Sequence, residues 1–151
     1  MIKMENNKAI LKELNKFLKG IKMGTETFKK YEEKAQDGKL KHQLSHILSI
    51  FHSHDQKIST AVLELGGKVH DSLGIEGEMA LMFEKLKEVF VDTDKEILEH
   101  AVKAIDMGSK NSEKSLKALK ELTPPTQVTE GMTEIVNDYK TTLKTLEHFK
   151  F

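Results

Sequence analysis

Residues 14–24 read LNKFLKGIKMG and residues 98–108 read LEHAVKAIDMG. Placed one on the other at an offset of 84, five of the eleven positions are identical, including the Lys, the central isoleucine and the Met-Gly pair. Unrelated stretches of this length share about one position. Each stretch sits inside a longer seam of apolar and small residues that recur at alternating steps of four and three. The first seam runs Ile10, Leu14, Phe17, Ile21, Gly24, Phe28, Tyr31 and Ala35; the other runs Leu98, Ala101, Ile105, Gly108, Ser112, Ser115, Leu119 and Leu122. That spacing marks long helices lying nearly parallel or antiparallel to their neighbours.

Two further seams follow the same rule. One passes through Leu40, Leu44, Ile47, Phe51, His54, Ile58, Ala61 and Leu65, between breaks at Asp37-Gly38 and Gly66-Gly67. The other passes through Val128, Met132, Ile135, Tyr139, Thr142, Leu146 and Phe149, after the break at Pro124-Pro125. Thr93 with Glu96 three residues later forms a capping box that marks the start of the third helix. The helix pairs span about 6–65 and 93–150, and each helix should reach about 40 Å at 1.5 Å per residue. Between the pairs lies a link of about 66–92. Its length permits the third helix to run parallel to the second, with one long crossover. Within it, EGEMALMFEKLKEVF at 76–90 puts Met79, Met82, Phe83, Leu86 and Phe90 on one side, which predicts a short amphipathic helix over the bundle. The expectation is a single all-α domain, a four-helix bundle over residues 1–151, built as a duplicated hairpin with approximate two-fold symmetry.

Composition narrows the function. Lysine supplies all 24 basic residues against 24 acids, so there is neither the basic excess nor the arginine fork that nucleic-acid binding uses. The chain lacks cysteine, which removes disulfides, thiolate metal sites and cysteine nucleophiles. The N-terminal stretch has no apolar signal core, and no run approaches a membrane span; the expected location is the cytoplasm. Residues 1–41 hold 11 lysines and 6 acids while residues 64–99 hold 4 lysines and 10 acids, regions that can complement one another within a chain or across a homodimer.

The segments LNKFLKGIKMGTETFKKYEEKA (14–35), VLELGG (62–67) and DTDKEILEHAVKAIDMG (92–108) resemble a bacterial ferritin-like family filed as a domain of unknown function. The resemblance covers nearly the whole chain and implies a ferritin-like bundle. Carboxylate proteins of that fold hold two metals with one Glu from each of two helices and a Glu-x-x-His motif on each of the others. In relatives that look metal-competent the glutamates precede the Met-Gly segments; here those places hold Ile21 and Ile105. His54 stands at the expected depth on helix 2, but Phe51 precedes it by three; on helix 4, Thr141 or Thr142 stands near the place of the second histidine. The resemblance thus implies a di-metal centre whose ligands are lost.

Other chemistry is weaker. His42 and His46 are one turn apart and could chelate a surface metal, but HQLSH lacks the glutamate of a zinc peptidase. His52, Ser53, His54 and Asp55 point to different helix faces and cannot form a triad. His54 alone is titratable on its seam; it is expected to bond a facing residue such as Tyr139 or Thr142. Gly24 and Gly108 are expected to let helix backbones approach closely, or to leave room for a small apolar ligand. These readings assign no catalytic residue, no cofactor and no metal ligand. They favour a non-enzymatic bundle acting through protein contacts or self-association, with a ferritin-like metal protein using a non-standard site as the alternative.

Overall fold

The computed structural model of the protein describes residues 4–69 and 93–151, with side chains from Asn6 onward. The amphipathic helix expected at 76–90 lies outside the described residues. Four helices form: α1 (Met4–Lys34), α2 (Gly38–Glu64), α3 (Asp94–Glu121) and α4 (Thr126–Glu147). Their termini follow from local chemistry. Asp37 caps α2 by accepting from the Leu40 N–H at 2.9 Å, and Thr93 caps α3 by accepting from the Glu96 N–H at 3.1 Å. At the end of α2, Gly66 turns left-handed at φ +79°, and the Gly66 and Gly67 N–H groups return to the Leu63 and Val62 carbonyls. That is a Schellman closure, and it needs a residue without a Cβ at Gly66.

The end of α3 attempts the same closure with the wrong residues. Thr123 takes φ +48°, and its N–H bonds to the Lys120 carbonyl at 3.3 Å. The next position is Pro124, which has no N–H for the second bond. A β-branched residue in this region is strained by about 1–3 kcal/mol.

Polar contacts between helices set their directions. At one end, both oxygens of Asp94 accept from the Gln36 and Asp37 N–H groups, at 2.9 and 3.0 Å, and so clamp the α1–α2 turn to the start of α3. At the other end, Asn6 donates to the Leu122 carbonyl at 3.2 Å and Asn7 to the Leu65 carbonyl at 3.4 Å. α3 therefore runs antiparallel to α1 and parallel to α2. His54 meets Asp138 while Lys57 meets Glu134, which makes α2 and α4 antiparallel. The neighbours around the bundle are α1–α2, α2–α4, α4–α3 and α3–α1, with α2–α4 the thinnest interface. The chain leaves α2 at one end and enters α3 at the other, which is the one-crossover connection of ferritin-like bundles.

Most seam positions are buried, but the seams drift. An α-helix turns 3.6 residues, so a strict 3.5 repeat rotates away from the core with length. Thus Ile97 and Val62 are fully buried where the even spacing favours Leu98 and Ala61, which are half-buried. Ser109, Ser112 and Ser115 carry α3 past its glycine, with Ser112 donating to the Ser109 carbonyl at 2.7 Å.

The glycines prove to serve rings more than backbones. A Cβ on Gly24 would lie 3.4 Å from Cε2 of Phe51, and a Cβ on Gly108 would lie 2.5 Å from Cε1 of Tyr139. Each glycine therefore seats an aromatic from the other helix of its own hairpin. A ring thus lies over each of these gaps in the seam. Phe28, Phe51, Tyr139 and His54 continue as a chain of aromatic contacts, with ring centres 5.3, 6.0 and 5.5 Å apart.

Two outcomes follow from these local geometries. Gly24→Ala should be neutral or stabilising, because the contact is tolerable and alanine gains about 1 kcal/mol in a helix. Gly108→Ala should lose about 1–3 kcal/mol through overpacking against Tyr139. Urea unfolding of both variants reads the difference; equal effects would refute the ring-seating account. Thr123→Gly should gain about 0.5–1 kcal/mol by relieving the left-handed strain, seen as a rise in Tm of about 1–4 °C.

Candidate functional site

The centre of the bundle is where a ferritin-like protein would carry its chemistry. Ile21 on α1 and Ile105 on α3 are each 1% exposed and belong to one continuous apolar core. Phe51 on α2 and Ile135 on α4 join them, both buried. His54 lies three residues after Phe51, and Asp138 lies three after Ile135. The positions that would carry the two Glu-x-x-His motifs therefore read Phe-x-x-His and Ile-x-x-Asp.

His54 and Asp138 meet. The His54 Nε2 lies 2.9 Å from Asp138 Oδ2, across the thin α2–α4 interface. A carboxylate only accepts, so Nε2 carries the proton and donates it. The offset of 84 that superposes the α1 and α3 stretches also carries position 54 onto position 138. The partner expected for His54 was Tyr139 or Thr142. Tyr139 instead contributes its ring face, 5.5 Å between centres, and the hydrogen bond goes to its neighbour in sequence. Asp138, the counterpart of His54 at that offset, lies one turn before Thr141 and Thr142. The offset of 84 marks positions 54 and 138 as counterparts in the sequence, and the fold brings the two together.

The electrostatics of the pair are lopsided. The His54 side chain is 1% exposed while that of Asp138 is 49% exposed. Burial holds the His54 pKa below the usual histidine value; the Asp138 hydrogen bond and charge oppose this, and the Lys57 charge adds to it. Its Nδ1 is buried and has no hydrogen-bond partner, and it is the only such side-chain atom among the described residues. Tyr139 is pushed far up by burial, and Tyr31 up to about 12, so neither yields a phenolate near neutrality.

Around the pair, Lys57 bonds Glu134, and Lys22 of α1 lies 3.4 Å from Asp55 of α2, whose other oxygen accepts from Ser59 at 3.0 Å. The Lys57 contact lowers the Glu134 carboxyl below its usual value. These are exposed or half-exposed ion pairs of small energetic weight.

A di-metal centre does not fit these residues. Ile21, Phe51, Ile105 and Ile135, around the depth where the resemblance would put carboxylates, are all buried hydrocarbon, and among the described residues nothing bonds the buried Nδ1. No group of three His, Cys, Asp or Glu side chains that could hold a metal occurs among the described residues. His42 and His46 both project into solvent from α2. The glycine-lined midsection forms a cleft of about 90 Å³ between α1 and α3, bordered by Gly20, Met23, Gly24, Ala104, Met107 and Gly108. It is smaller than the roughly 150 Å³ apolar cavity that accepts benzene.

Solved structures share this architecture. A ferritin-like diiron-carboxylate protein from Bacillus anthracis is 16% identical, with TM-score 0.75, covering 96% of this chain and 97% of that one. The DPS protein of Vibrio cholerae, described as a member of a broad superfamily of ferritin-like diiron-carboxylate proteins, is 10% identical with TM-score 0.78, covering 97% and 91%. A two-domain protein from Anabaena variabilis, with DJ-1/ThiJ/PfpI-like and ferritin-like domains, is 18% identical with TM-score 0.72. That match covers 93% of this chain but 35% of the larger protein, so the chain spans about a third of its length. No curated protein matches the chain. At these identities the likeness establishes the fold, a ferritin-like four-helix bundle. The family is established by sequence: a model described as Domain of unknown function (DUF2383) matches residues 9–120, and the chain belongs to that family.

Proposed function

We propose that this protein is a non-enzymatic ferritin-like bundle, a single domain of the cytoplasm that acts through protein contacts or self-association. The observation that carries the reading is that Ile21, Phe51, Ile105 and Ile135, around the depth where the resemblance would put carboxylates, are buried hydrocarbon. Clustered carboxylates in a core repel one another and lose hydration unless cations neutralise them. Isoleucine removes that requirement, and burying each such side chain contributes about 1.5–3 kcal/mol. The bundle is then stable without metal, and its exterior is left as the functional surface. That exterior includes Leu63 and Phe151, at 62% and 55% exposure. The offset of 84, which pairs Ile21 with Ile105 and His54 with Asp138, supports an origin by duplication of a helical hairpin.

The alternative, a ferritin-like metal protein with a rearranged site, predicts a different result in one experiment. The untagged protein is incubated separately with iron, manganese and zinc, desalted, and assayed for bound metal, Tm and mass in solution. Our reading expects less than about 0.1 metal per chain after desalting and a Tm change within about 1 °C. A site filled at a hundred times its Kd would add about 2.7 kcal/mol, or about 5–10 °C for a chain of this size. About two metals retained per chain with such a rise would overturn the non-metal reading. A dimer or larger mass supports self-association; a monomer assigns the contacts to another protein.

A further inference from the structure

His54 carries the one fully buried side-chain nitrogen or oxygen without a hydrogen-bond partner among the described residues, and it sits between α2 and α4, which make the fewest close backbone approaches of the four neighbouring pairs. At neutral pH the arrangement is self-consistent. Nε2–H donates to Asp138, and Nδ1 keeps a buried lone pair with no hydrogen-bond partner. A proton added at Nδ1 creates a buried N–H with no acceptor, and the cost of an unmade bond at a charged group exceeds that at a neutral one. Water can satisfy that N–H only if α2 and α4 part. We propose that the His54–Asp138 contact is an acid-sensitive latch, and that proton uptake by His54 opens the α2–α4 seam while the α1–α2 and α3–α4 hairpins stay packed.

The charged neighbours are few and can be named. On α2 itself they are Asp55 and Lys57; from α4 come Asp138, Glu134 and the neutral Tyr139; from α1 comes Lys22. Lys22 is occupied with Asp55, and Lys57 with Glu134. On α3, Glu113 engages Lys140 of α4. Asp138 is thus the anion bonded directly to the imidazole, and it is half solvated, so it compensates the added charge only in part. Local opening is favoured by the construction of the seam. Its two backbones make the fewest close approaches of the four neighbouring pairs, and Pro125, at the N-cap of α4, supplies no side-chain cap.

The sign follows from linkage. Burial, the largest influence, lowers the His54 pKa in the closed form, while a solvated His54 titrates near 6.5. The closed seam is therefore fully favoured above about pH 6.5, and loses ground as pH falls from there toward the lowered closed-form value. One proton is involved, so the open-to-closed ratio rises by at most about tenfold per pH unit.

Amide hydrogen exchange on the full chain between pH 7.5 and 5, expressed as protection factors, tests this. Protection in the mid-sections of α2 and α4 should fall by up to about tenfold per unit below pH 6.5, while α1 and α3 hold. In His54→Leu that fall should vanish. In Asp138→Asn, which keeps an acceptor but removes the charge, it should continue to lower pH than in the wild type. A flat wild-type profile, an equal fall in all four helices, or an unchanged fall in His54→Leu would each overturn the latch. Should His54→Leu fail to fold, the NMR titration of His54 in the wild type decides. Protonation near pH 6.5 with protection unchanged overturns the proposal; protonation that tracks the loss of protection supports it.

Discussion

Ile21 and Ile105 place hydrocarbon at the middle of a bundle whose architecture elsewhere houses carboxylates and metal. The consequence spreads to every neighbouring layer. On α2 and α4, Phe51 and Ile135 are buried beside the two isoleucines and complete an apolar cross-section. Aromatic rings become affordable there, and Gly24 and Gly108 supply the hollows in which Phe51 and Tyr139 lie. A charged centre would have required the opposite: small polar positions and access for ions.

His54 is the exception to this apolar solution. An imidazole that is 1% exposed must place its protonated nitrogen on an acceptor, and Asp138 provides one from the facing helix. The second nitrogen finds none. The polar contact therefore defines how α2 meets α4 without making that interface robust, because each end of the imidazole sees a different environment. One end bonds a half-solvated carboxylate, and the other is buried without a partner. Specificity of pairing at a cost in stability is what a single buried polar contact contributes in other helical assemblies.

Much of the fold was legible because helices report themselves locally. The four seams, the cap at Thr93 and the stop at Gly66-Gly67 all act within a few residues, and the structure reproduces them within one to four residues at each boundary. Two classes of detail were not legible. Drift of the seams, which buries Ile97 and Val62 in place of Leu98 and Ala61, depends on where each helix crosses its neighbours. The role of the glycines depends on which rings arrive from the other helix of the hairpin, which no count along one chain segment reveals.

By itself, then, the sequence determined that four long helices form, that their centre carries isoleucine where the family resemblance expects carboxylate, and that one histidine lies on a core seam. Periodicity, caps and residue chemistry are local properties, and local properties are written in the sequence. The long link at 66–92 already pointed to one crossover, with α3 parallel to α2; the tertiary structure alone decided that the His54 imidazole bonds Asp138 and not Tyr139 or Thr142, and that Nδ1 is left unpaired. Those outcomes depend on the rotation and axial register of one helix against another. Register is set by the packing of the whole core at once, and a helix one turn higher or lower would satisfy the same pattern.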